Sequence, residues 1–83
     1  MGAVGPLGAV SGKLRRFFQG IGVVPDPFTL MEIYTVASMV ACGRADRSSL
    51  EEVIRKYLEK WGVDADPGEL TRRIVEVVGC GSA

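Results

Sequence analysis

Apolar residues return every three or four positions through four stretches of this chain, and residues that form turns separate the stretches. In the first, Leu14, Phe17, Phe18 and Ile21 share one stripe while Lys13, Arg15, Arg16 and Gln19 face elsewhere, which predicts a short basic amphipathic helix. Ser11 is its first candidate cap, and Gly20 or Gly22 closes it, because glycine tolerates the left-handed conformation found at helix ends. Val23 to Pro25 reads as an extended connector, since Pro25 and Pro27 each push the preceding residue out of the helical region. Asp26 then caps a second helix, with Pro27 in its first turn.

The second stretch, 27–42, is apolar on nearly every face, with Glu32 its one charge. A helix hydrophobic all round is either buried on all sides or embedded in lipid. Its sixteen residues rise only about 24 Å, short of a bilayer's hydrocarbon core of about 30 Å, so the preferred reading is a central core helix. Three short amphipathic helices do not cover such an element completely, and part of it is expected to pack against a second copy of the chain.

After Gly43 comes a polar break, and Ser48 and Ser49 followed by Glu51 and Glu52 predict the next helix start through two overlapping capping boxes. Leu50, Val53, Ile54, Tyr57, Leu58 and Trp61 make the third stripe, with Glu51/Arg55 and Glu52/Lys56 pairs on the wet side and Gly62 as the stop. Asp66, Pro67 and Glu69 open a fourth helix whose Leu70, Ile74, Val77 and Val78 face inward until Gly79.

The four stretches are two copies of one plan. Shifting residues 14–30 by forty positions onto 54–70 matches Arg15/Arg55, Gly22/Gly62, Val23/Val63, Asp26/Asp66, Pro27/Pro67 and Leu30/Leu70, six identities in seventeen aligned positions, where about one is expected by chance. The fold expected is therefore all-α: a compact four-helix bundle built from two tandem helical hairpins, 11–43 and 48–80, forming a single domain over 11–80. Two repeats are too few for a solenoid, which argues for closure into a bundle. Residues 1–10 are expected to be a flexible tail, because Pro6 and the glycines at 2, 5 and 8 disfavour a helix. With no charged n-region, that opening fits neither a secretion signal nor a transit peptide, and a cytoplasmic location is expected.

Composition narrows the function classes. Ten basic and ten acidic residues cancel, so no net field draws the chain to nucleic acid or an anionic bilayer. At eighty-three residues only about 60–65% of the unfolded surface can be buried, so a lone monomer would be modestly stable. Histidine and asparagine are both absent and arginine outnumbers lysine seven to three, a composition seen in heat-adapted proteins. Without histidine the chain lacks the usual general base near neutral pH, the usual orienter of Ser or Cys nucleophiles and the commonest zinc ligand. No enzymatic activity and no cofactor is expected. Gly20, Ile21 and Gly22 resemble the glycine turn of helix-hairpin-helix DNA binders, but the second copy reads Lys60, Trp61, Gly62, and the motif reads better as a helix stop. Asp64, Asp66, Gly68 and Glu69 resemble the start of a calcium loop with its glycine one position early and Val75 where the bidentate acid belongs.

Cys42 and Cys80 each end the second helix of a hairpin and each precede a glycine. They read either as small hydrophobes, because intracellular thiols stay reduced, or as a disulfide if the source is hyperthermophilic. Three functional expectations remain. The leading one is a protein-protein interaction or homo-oligomerisation module with Phe17, Phe18, Tyr34, Tyr57 and Trp61 as candidate partner contacts. The second is a small nucleic-acid-binding protein with Lys13, Arg15, Arg16, Arg55, Lys56 and Lys60 as candidate phosphate contacts. Glu51, Glu52 and Glu59 on the same helix would repel those phosphates. The third is a membrane-associated subunit held through helix 27–42.

Overall fold

Residues 5–80 are described by a computed structural model, with side chains described from residue 12 onward. The chain forms four α-helices, α1 (Gly5–Gly20), α2 (Pro27–Ala41), α3 (Arg47–Trp61) and α4 (Pro67–Val78), and no strand among the described residues. Helix starts follow the Asp-Pro pairs. Asp26 accepts a hydrogen bond from the Thr29 amide at 2.7 Å and Asp66 from the Gly68 amide at 3.2 Å, each satisfying a donor that the first helical turn leaves unpaired. Helix stops follow the glycines. At the end of α1 the Gly22 amide donates to the Gln19 carbonyl and the Val23 amide to the Phe18 carbonyl, both at 3.0 Å. At the end of α3 the Gly62 amide donates to Glu59 at 3.2 Å and the Val63 amide to Leu58 at 3.0 Å. This crossed pair needs a left-handed residue, supplied by Gly22 at φ 85° and Gly62 at φ 72°.

Two boundaries differ from the sequence expectation. α1 begins at Gly5, so residues 5–10 are helical where a flexible tail was expected; residues 1–4 lie outside the described residues. Proline opposes a helix only in its interior, and Pro6 lies in the first turn, where its missing N–H has no partner to lose. α3 begins at Arg47, and its cap residue is Asp46 rather than Ser48 or Ser49; the Ser49 amide donates to the Asp46 carbonyl at 3.0 Å. Asp46 makes no side-chain capping bond. The serines thus sit inside the first turn they were expected to precede.

α4 packs against each of the other helices and α2 against each of the other helices, whereas the α1 and α3 backbones do not touch. One core results, with Leu14 and Phe18 from α1, Leu30, Ile33 and Ala37 from α2, Leu50, Ile54 and Leu58 from α3, and Leu70, Ile74 and Val78 from α4. Each of these side chains except Ala37 contributes about 1.5–3 kcal/mol by leaving water, and the Ala37 methyl about 0.8 kcal/mol. The Cα radius of gyration is 12.2 Å, close to the roughly 12 Å of a compact chain of this length.

One polar atom breaks the pattern. Thr71 is 1% exposed among these aliphatic residues and its hydroxyl has no hydrogen-bond partner. An unpaired buried hydroxyl costs about 1–3 kcal/mol, and valine has the same shape without the polar atom. Thr71→Val is therefore expected to stabilise the protein by about 1 kcal/mol, read as a higher urea midpoint at unchanged slope.

Candidate functional site

The outer face of α2 is where this structure departs most from a closed core. Leu30, Ile33 and Ala37 point inward, so the positions half a turn away point out. Phe28 is 86% exposed, Met31 54% and Met39 43%, and Val24 just ahead of the helix is 76% exposed. With exposed Thr35 and Cys42, they form a stripe spaced three and four residues apart along the helix. Helix 27–42 is thus not enclosed by its own chain: one face is buried and the opposite face is wet. Thr35 lies on this outer face and half-buried Ser38 beside it, two small polar positions on a helix that is otherwise apolar almost all round.

Glu32, the single charge of α2, lies at the flank of the stripe and is used within the chain. It accepts a hydrogen bond from the Tyr57 hydroxyl and pairs with Lys56, whose Nζ is 3.7 Å from Oε2. That hydrogen bond, helped by burial and the nearby carboxylate charge, raises the Tyr57 pKa above its usual 10.0. A raised pKa means that the folded state favours the protonated phenol. The stability it contributes is present below pH 10.0 and is lost as pH rises through the higher folded value. At the acid end the backbone amide of Thr29, then its side chain, lowers the Asp26 pKa below 3.8, so that contribution is present above 3.8 and lost as pH falls through the lower folded value. Thermal midpoints measured from pH 2 to pH 12 should therefore fall at both ends, with Tyr57→Phe removing part of the alkaline fall and Asp26→Ala part of the acid fall.

The candidate partner contacts do not gather on one exposed surface. Phe18 is 0% exposed and belongs to the core, which corrects its assignment as a contact. The ring of Phe18 meets Phe17 edge-on at 5.4 Å and Trp61 edge-on at 5.6 Å, and Trp61 stacks on Tyr57 at 5.5 Å. This chain of rings bridges α1 and α3 where their backbones stay apart. Phe17, Tyr34, Tyr57 and Trp61 are half-buried against the core. Cations cover part of what remains: Lys56 lies 4.8 Å and Lys60 6.0 Å from the Tyr57 ring centroid, and Arg73 lies 5.9 Å from that of Phe17.

The six candidate phosphate contacts fall into two groups. On α3, Arg55 pairs with Glu51 at 3.4 Å, while Lys56 and Lys60 engage Glu32 and Tyr57 as described. On α1, Lys13, Arg15 and Arg16 are exposed and make no ion pair among the described residues.

At the far end of α2, Cys42 and Cys80 are joined in a disulfide, with Cα atoms 4.9 Å apart. It ties the end of α2 to the end of α4, and both cysteines are exposed. Each sits at a helix C-terminus, where the negative end of the macrodipole disfavours a thiolate. That is the electrostatic setting of a structural cross-link, opposite to the helix N-termini where reactive cysteines are activated. No group of three or more metal-ligating side chains, no pocket and no helix long and apolar enough to cross a membrane occurs among the described residues. No protein family, curated protein or solved structure matches this chain.

Proposed function

We propose that this protein is a small non-catalytic interaction or oligomerisation module that works through the outer face of α2. The observation that carries the reading is the apolar stripe of Phe28, Met31 and Met39, left exposed on a helix whose only charge is engaged inside the chain. An apolar patch of a few hundred Å² is the size of the largest one on a typical monomer, and that largest patch is often a contact site. Replacing residue 28 with a photo-crosslinking phenylalanine analogue tests it. Adducts at 28, and none at exposed Glu52 on α3, are expected in lysate of the native cells, and the absence of adducts at 28 would remove the reading.

The same proposal treats the chain as two tandem hairpins related by the forty-residue repeat. Three backbone bonds support this: Gly22 to Gln19, Val23 to Phe18 and Leu30 to Asp26 recur as Gly62 to Glu59, Val63 to Leu58 and Leu70 to Asp66. The packing supports it too, since contact of α2 with α4, with α1 and α3 apart, is what an approximate two-fold axis between the halves produces. We place the protein in the cytoplasm of a heat-adapted cell, where internal disulfides persist. An unfolding midpoint below about 60 °C would argue against that source.

A further inference from the structure

We infer that the outer face of α2 is covered by α2 of a second copy of this chain, running antiparallel about a two-fold axis, so that Phe28 of each copy packs on Met39 of the other. The inference rests on the interaction surface just described and commits to its occupant. Charge is the first argument. From Pro27 to Gly43 the stripe carries no charged side chain other than Glu32, which Tyr57 and Lys56 hold at the flank. A two-fold axis brings equivalent residues toward one another, and a neutral surface meets no like-charge penalty when paired with itself.

The two ends of α2 set the direction. Exposed Asp26 precedes the helix and exposed Arg44 follows it. Antiparallel copies bring the Asp26 end of one beside the Arg44 end of the other and oppose their helix dipoles, whereas parallel copies would set like charge on like.

The register follows from spacing. Phe28 and Met39 project from nearly the same side of the helix, about 16 Å apart along its axis. Antiparallel pairing centred between Ile33 and Tyr34 places each Phe28 opposite the other copy's Met39, twice over by symmetry. Thioether sulfur against an aromatic ring is a favourable contact, and the flexible methionine side chain adapts to the ring it meets.

Area sets the strength. At the exposures of Val24, Phe28, Met31 and Met39, each copy offers about 400–500 Å² of apolar side chain, or about 900 Å² from the pair, below the roughly 1,200 Å² of stable specific interfaces and in the range of weak, transient ones. An interface of this size fits weak, reversible association.

Sedimentation equilibrium of the full chain, from about 10 µM to about 1 mM, tests this. The mass should rise from 8.9 kDa toward twice that value across the series. F28K and M39E should each stay monomeric, and well below the dimerising concentration F28K should melt at the wild-type midpoint, because Phe28 already faces solvent, with M39E close to it. An equimolar mixture of F28K and M39E should recover the dimer, since the register sets the new lysine against the new glutamate while the native Phe28 and Met39 still meet. A wild-type protein that stays monomeric throughout overturns the inference, as does a dimer indifferent to both substitutions or a mixture that does not recover association. A monomer that still gives crosslinked adducts of foreign mass at residue 28 would remove the second copy and leave the interaction surface standing.

Discussion

Reducing the Cys42–Cys80 bond, or replacing both cysteines with serine, is expected to lower the thermal midpoint by roughly 15–30 °C. The bond closes a loop with a sequence separation of 38 residues. In the chain-entropy account, a loop of that length removes about 3–4 kcal/mol of freedom from the unfolded ensemble, and each kcal/mol moves the midpoint of a domain this small by about 4–8 °C. A total stability of about 4–12 kcal/mol is typical at this length, so the cross-link is a large fraction of it. Both sulfurs lie on exposed residues, so a mild reductant reaches them without prior unfolding. Thermal melts with and without reductant, read alongside alkylation without reductant, check the result. An unchanged midpoint together with two alkylated cysteines would show that the bond is absent.

The three phenylalanines should give three different results on substitution by alanine. Phe18 is fully buried and in edge contact with both Phe17 and Trp61, and its loss leaves a cavity bridging α1 and α3, at a cost of about 3–5 kcal/mol. Phe17, half-buried on the same cluster, should cost roughly half as much. Phe28, at 86% exposure, should change folding stability by less than about 0.5 kcal/mol. Urea denaturation well below the dimerising concentration separates these values from any effect on association. A Phe28→Ala cost comparable to that of Phe18→Ala would mean that the outer face of α2 is packed inside the monomer.

Much of this contrast was not legible in the residues. Phe17 and Phe18 stand side by side in one apolar stripe, and the packing of the other helices, with Trp61 of α3 edge-on to Phe18, decides which ring is sealed in. The boundaries behaved differently. Asp26, Asp66, Gly22 and Gly62 mark helix ends through hydrogen bonds made within a few residues, and those ends fall where the local pattern predicts them. Ser48 and Ser49 matched the capping-box pattern, yet α3 starts earlier, after Asp46, whose side chain makes no capping bond that the local pattern could reveal. Proline opposes helices in general, but Pro6 lies in a first turn, where it has nothing to break.

What the sequence determined by itself is local: four helices, their stripes and most of their ends, because stripe spacing, caps and closing glycines act over a turn or two of chain. Which face of a nearly uniform helix turns inward is not a local property. α2 is apolar almost all round, so its own residues could not rank Leu30 and Ile33 above Phe28 and Met31; the positions of α1, α3 and α4 made that choice. The pairing of Cys42 with Cys80 depends likewise on α2 and α4 ending side by side, a distance that only the packed chain defines.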